Sequence, residues 1–249
     1  MNTPQLAGAT ALVAGGTGNV GYFAVDALLR AGAEVLVPSR DPAKIERLRS
    51  RLAPDLESRL LGLRGDIGTA AGAREIAAQV RDAGGLDAVV STVTSWHQGP
   101  PVLAAGFDAF RSVIEAALYP HFTAAEALVP LLRPGGAYTT VNGPAGFVDQ
   151  VGAQVGPIAA ATAAQNRLVL AIADETGGDP RVNELVMWAY MGPNGTRPGS
   201  PLRGEAVGDV LAWLSSPAAK DVHGATVHLR QPDQAQRILD GQARQGDLG

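Results

Sequence analysis

Apolar residues recur along the chain in two alternating rhythms. Short unbroken runs such as Ala11-Leu12-Val13-Ala14, Glu34-Val35-Leu36-Val37 and Leu86-Asp87-Ala88-Val89-Val90-Ser91 have strand length, as expected for strands buried on both faces. Between them, apolar residues fall three and four apart. Val20, Phe23, Ala24, Ala27 and Leu28 set that rhythm and predict a helix from Asn19 to Ala31, closed by Gly32. Further strands are predicted at Leu60 to Ile67, Gly136 to Asn142, Val182 to Met187 and Ala225 to Leu229. Further helices are predicted at Asp41-Pro42 to Leu52, Ala70 to Ala83, Pro157 to Glu175 and Glu205 to Ser215. Phe107 to Leu132 is a longer helical stretch that Pro120 and Pro130 should bend or interrupt. Thr92 to Gly106 and Gly143 to Gly156 are predicted loops, and Tyr190 to Leu202 a mobile segment. From Gln231 to Gly249 the chain is polar and expected to be loosely held. Strands alternating with helices predict one α/β domain over residues 1–249. Its core is a doubly wound parallel sheet of about seven strands, flanked by helices through right-handed crossovers.

The first strand ends in a glycine-dense turn that opens the first helix. Gly15, Gly18 and Gly21, with Thr17, Asn19 and Val20 between them, form G-x-x-G-x-x-G. A helix N-terminus carries unpaired N–H groups and about half a positive charge, so a phosphate is its natural guest. The position of the turn, after a strand and before a helix, is that of the dinucleotide-binding turn of a Rossmann fold.

Composition narrows the classes. No apolar run reaches transmembrane length, and Met1 to Leu6 lacks the features of a signal peptide, so a cytoplasmic protein is expected. The absence of cysteine excludes disulfides, thiolate metal sites and cysteine nucleophiles. A net charge of −4 without a basic block argues against nucleic acid as the partner, and nothing predicts a membrane partner. The four histidines show no metal spacing; His223 and His228 are expected to be structural.

Several further segments, in order, resemble the short-chain dehydrogenase/reductase family. Gly65-Asp66-Ile67 is similar to the strand-three aspartate motif that contacts adenine in that family. Ile172-Ala173-Asp174-Glu175 resembles the end of its active-site helix, Arg181-Val182-Asn183 its strand six, and Leu214-Ser215-Ser216-Pro217 through His223-Gly224 its penultimate segment. The resemblance implies a nicotinamide dinucleotide bound by Gly15, Thr17, Gly18, Asn19, Val20, Gly21, Asp66, Ile67 and Thr92. At the end of strand two, an acidic residue would repel a 2′-phosphate. Ser39-Arg40 suits one, which favours NADP(H) over NAD(H), although Asp41 could still reach the ribose. The resemblance also implies a homodimer or homotetramer.

The family's catalytic tyrosine and lysine stand four residues apart on one helix face. Here the corresponding positions are Ile158 and Thr162, the serine position is Gly143 and the asparagine position lies near Ala117. The composition makes the same point without alignment. Lys44 and Lys220 are the only lysines, and none of Tyr22, Tyr119, Tyr138 and Tyr190 has lysine four residues later. Candidate replacements are His97, His121 and Asn142, a histidine being the obvious acid at neutral pH. Trp96, Gln150, Gln154, Trp188 and Tyr190 are expected to line the substrate cavity, the aromatics suiting a flat aromatic or polyketide-like molecule. Three functions follow: an atypical NADP(H)-dependent oxidoreductase of small molecules, a redox-neutral cyclase, isomerase or dehydratase, or a non-catalytic NADP(H)-binding protein.

Overall fold

The first apolar run becomes strand β1 (Thr10–Ala14), and the helical rhythm after it becomes α1 (Asn19–Arg30), with Phe23, Ala24, Ala27 and Leu28 buried. The computed structural model describes residues 5–94, 96–193, 195–197 and 199–243. Strand β2 (Glu34–Ser39) leads into α2 (Pro42–Arg49). The Asp41 side chain caps that helix by accepting from the Ala43 N–H at 2.9 Å, and Pro42 occupies its first turn. Strand β3 (Leu60–Arg64), helix α3 (Ala70–Asp82) and strand β4 (Leu86–Ser91) complete the first half.

The second half departs from expectation at its helices. Helix α4 (Val102–Ala117) begins inside the predicted loop and is kinked where Gly106 adopts φ +79°, a conformation that favours glycine. The helical stretch then breaks at Leu118, and Pro120 falls in the first turn of α5 (Tyr119–Leu128), where its missing N–H costs nothing. Strand β5 (Leu132–Asn142) starts earlier than predicted, so Leu132 is sheet and not helix. Helix α6 (Gly156–Thr176) ends on left-handed Gly177, and β6 (Arg181–Met187) follows. A two-residue hairpin, β7 (Met191–Gly192) with β8 (Gly195–Thr196), lies within the segment expected to be mobile. Helix α7 (Gly204–Ser215) and strand β9 (Thr226–Leu229) close the main fold.

The tail is the clearest correction. Residues Pro232–Leu239 form a further helix, α8, although the segment from Gln231 is polar. Ala235 and Ile238, three apart, form an apolar stripe narrow enough to hide in that composition, and both are buried in the core beside α7. Gln234 fastens the helix to β9 by donating to the His228 carbonyl at 2.7 Å and accepting from the Arg230 N–H at 3.0 Å.

All seven long strands pair in parallel in the order β3-β2-β1-β4-β5-β6-β9. One core lies between the sheet and α1, α2, α7 and α8, and a second between the sheet and α3, α5 and α6. The strand order reverses at β1 and β4, the switch point where doubly wound sheets bind ligands at the C-terminal ends of their strands. Among the described residues, no helix is long and apolar enough to cross a membrane.

Candidate active site

At the switch point the backbone of the glycine turn leaves no room for side chains. Gly15 has φ +83°, and a Cβ there would stand 2.8 Å from the Thr92 carbonyl oxygen. A Cβ on Gly21 would come within 2.2 Å of the Gly15 carbonyl oxygen, because the first turn of α1 packs directly on the loop. The Gly18 N–H donates to that same carbonyl at 2.9 Å. Gly18 is also the N-cap of α1 and supplies no side-chain acceptor, so the helix N-terminus is open to an external anion. Thr92 joins the exits of β1 and β4, its N–H (2.8 Å) and hydroxyl (3.1 Å) both donating to the Ala14 carbonyl. The Asn19 amide donates to the Met191 carbonyl at 3.3 Å and fastens the segment after β6 to the turn. Thr17 and Val20 are half-buried on either side.

At the exit of β2 the Asp41 carboxylate caps α2 and lies 3.6 Å from Arg47. The Ser39 hydroxyl accepts from the Asp41 N–H and donates to the Asp41 carbonyl. The Arg40 side chain is 73% exposed and reaches across to Asp66 at 3.2 Å. Asp66 also accepts from the Gly68 N–H at 3.0 Å, and Ile67 is buried behind it. Arg40 and Asp66 therefore share the lip between β2 and β3.

Beyond β4 and β5 the candidates separate. Trp96 is exposed, and His97 is half-buried with its imidazole against Gly99. Gln154 joins two loops: its side-chain oxygen accepts from Gln98 and its carbonyl from the Gly99 N–H, each at 3.0 Å, while Gln150 is exposed. His121 does not join them. It lies 1% exposed, neither ring nitrogen has a partner among the described residues, and burial pushes its pKa down to about 4. The ring is therefore neutral at neutral pH. Asn142 is equally enclosed: its amide donates to Glu184 (3.0 Å) and to the Thr162 carbonyl (2.9 Å), and its oxygen accepts from the Gly143 N–H. All of its polar atoms are used inside the protein.

The partner of Asn142 is a residue that the periodicity concealed. Glu184 is fully buried on β6, with Asn166 donating to its second carboxyl oxygen at 2.7 Å and also to Thr226. Burial pushes the Glu184 carboxyl up from its ordinary value, with the amides of Asn166 and Asn142 opposing. The signal was the polar pair Asn183-Glu184 between Val182 and the apolar run Leu185-Val186-Met187. A second cluster surrounds the predicted Trp188 with residues that were not predicted, Phe147, His228 and Arg230. Trp188 donates from its indole N–H to His228 Nδ1 at 3.1 Å, Phe147 packs near-perpendicular to the His228 ring, and the Arg230 guanidinium lies 3.5 Å over the Trp188 ring. Tyr190 similarly carries Arg197 over its ring at 4.5 Å. His228 is thus part of this wall, a place its strand-end position at the ligand-binding edge of the sheet could have suggested. His223 serves the backbone, its Nδ1 accepting from the Val182 N–H. Among the described residues no group of side chains is placed to hold a metal ion.

Comparison with known proteins identifies this architecture. The family model for short chain dehydrogenases matches residues 9–186. The chain belongs to the short-chain dehydrogenase family. No curated protein sequence matches it. Among solved structures, a dehydrogenase/reductase from Sinorhizobium meliloti is 22% identical with a TM-score of 0.79, covering 91% of this chain and 95% of its own. The Pseudomonas aeruginosa RhlG/NADP active-site complex is also 22% identical, with a TM-score of 0.79 and 92% and 98% covered. An NADPH-bound short chain oxidoreductase from the same species, described as containing an atypical catalytic center, is 22% identical with a TM-score of 0.78, covering 91% and 96%.

Within this member of the family, the residues expected from the sequence at the tyrosine and lysine positions are Ile158 and Thr162. Ile158 is a buried core residue, and the Thr162 hydroxyl is turned back onto the Ala159 carbonyl at 3.0 Å. Gly143 presents only backbone, and Ala117 is buried beside Val113.

Proposed function

We propose that the protein is an NADP(H)-dependent oxidoreductase of small molecules whose proton does not come from a tyrosine–lysine pair. The observation that carries this reading is the uncapped N-terminus of α1 above a turn in which Gly15 and Gly21 admit no Cβ, a cradle shaped for a diphosphate. The occupation of Asp41 elsewhere and the exposed guanidinium of Arg40 favour a 2′-phosphate. Two similar structures named as NADP or NADPH complexes support the same cofactor. When bound, the dinucleotide would exchange a hydride with the substrate.

The chain's own residues then bind and orient. Backbone N–H groups of Asn19 and Val20 would hold the diphosphate, and Ser39 and Arg40 the 2′-phosphate. Trp96, Trp188 and Tyr190 would enclose a flat substrate. His97 is the candidate proton donor, because His121 is buried and neutral. The apolar filling of the tyrosine position at Ile158 favours a second reading, a redox-neutral enzyme using the same cleft.

Fluorescence titration with NADPH and NADH tests the cofactor. NADPH should bind, and Arg40→Asp should weaken it by about 30-fold or more while changing NADH by less than about threefold. Equal losses for both would remove Arg40 as the phosphate-reading residue, and binding of neither would end the oxidoreductase reading.

A further inference from the structure

The wall beyond β6 and β9 holds an arginine whose support is more elaborate than a surface charge requires. Trp188 follows β6 and Arg230 follows β9, and the Trp188 N–H donates to the Leu229 carbonyl at 3.0 Å, so the two strand exits are tied together. The guanidinium lies flat on the indole with 3.5 Å between its carbon and the ring centroid. The indole is itself fixed, because its N–H is given to His228 Nδ1. Phe147, from the loop after β5, packs near-perpendicular to the imidazole with ring centroids 4.9 Å apart. Gln234 clamps the backbone on both sides, accepting from the Arg230 N–H and donating to the His228 carbonyl.

Among the described residues the cation held this way has no acidic partner. The ion pairs among the described residues use Arg30, Arg40, Arg47, Arg49, Arg111, Arg133 and Arg237, and none uses Arg230. Asp233, the carboxylate nearest in sequence, is bonded to Arg237 at 2.7 Å. His228 adds no second charge: burial and the neighbouring Arg230 both hold its pKa below the ordinary value. Because Nδ1 accepts from Trp188, the neutral ring carries its proton on Nε2.

We propose that Arg230, held flat on Trp188 at the ligand-binding edge of the sheet, docks a carboxylate of the substrate. This rests on the proposed small-molecule cleft and narrows its substrates to carboxylate-bearing ones. One face of the guanidinium is covered by the indole, which leaves its N–H edge for a planar partner. A carboxylate matches that fork with two parallel hydrogen bonds. Fixing the arginine beforehand removes most of the ordering cost of binding.

The test compares benzoate with its neutral isostere benzamide, titrated by ligand-observed NMR onto the full chain in the presence of NADPH. Benzoate should bind at least about tenfold more tightly than benzamide. Arg230→Met should lose that preference and leave benzamide within about twofold. Trp188→Leu removes the platform and keeps the charge, so it should lose only about threefold on benzoate. Arg230→Lys, which keeps the charge without the planar fork, should fall between Met and wild type, and it carries the test should Arg230→Met fail to fold. Equal binding of the two probes, no binding of benzoate, or full benzoate affinity in Arg230→Met or Arg230→Lys overturns the proposal. NADPH affinity is followed separately: its absence with the benzoate preference intact would sink the cofactor reading and leave the docking site standing.

Discussion

His121 illustrates how far a single side chain's environment decides what it can do. The sequence offers it as a replacement acid, but the ring is buried and neither nitrogen is partnered among the described residues. Its pKa near 4 lies below the unfolded value of 6.5, so the unfolded state binds the extra proton first. Stability therefore stands in full above pH 6.5 and is lost as pH falls toward 4, by about 3 kcal/mol across that window. His121→Leu, close in volume and free of unpaired nitrogens, should flatten this acid limb when urea unfolding is compared at pH 7.5 and 4.5. An unchanged difference between the two pH values would show that His121 is not the titrating group. Asn142 teaches the same lesson. Its position at the end of β5 was legible in the sequence, but its commitment to Glu184 was not, because the two are 42 residues apart and meet only through the β5–β6 pairing.

At the level of elements, the strands were legible and the helix boundaries much less so. The parallel strands are buried on both faces and show as apolar runs, whereas α4 starts at an exposed, proline-preceded turn with Leu103 almost fully exposed, where burial periodicity is silent. Helix α8 was missed because two apolar residues suffice when they dock on an existing core. The polar residue at the start of β6 has a structural role that resemblance alone could not explain. Arg181 is 4% exposed and donates to the carbonyls of Leu214 (3.0 Å), Ala219 (2.9 Å) and Ser216 (3.2 Å), closing the C-terminal end of α7. Arg181→Met would take the guanidinium from the Leu214 carbonyl and leave the Ser216 and Ala219 carbonyls only the N–H groups of Ala219 and Val222, and we expect a loss of about 2–3 kcal/mol. Thermal and urea unfolding would measure it. A loss below about 1 kcal/mol would mean that water replaces the guanidinium.

The whole molecule carries one more feature that its own core does not use. Apolar side chains are exposed along α4 and α5, with Leu103 97% exposed, Phe107 75%, Tyr119 54% and Phe122 50%. Helices α4 and α6 form a satellite core around Val113, Ala117, Ile158 and Ala161, while α5 packs into the core under the sheet. Isolated exposed apolar residues need no explanation, but several large ones on two consecutive helices form the kind of patch that marks a contact surface. We therefore propose that the protein is a homo-oligomer through this flank, a self-complementary patch being the simplest route to a two-fold pair. Analytical ultracentrifugation should give at least a dimer at micromolar concentration. Phe107→Glu combined with Leu103→Glu should shift it to monomer, because each would bury a charge in an apolar contact. The double variant should match the wild-type unfolding midpoint when both are measured well below the dimer dissociation constant, since neither side chain contributes to the chain's own buried cores. A wild-type monomer would overturn the assembly, and an unshifted double variant would assign it to another face. If the pair forms as proposed, each copy's α4 flank is buried beside its own cleft, and cooperativity between the two sites becomes measurable as a Hill coefficient in the NADPH titration.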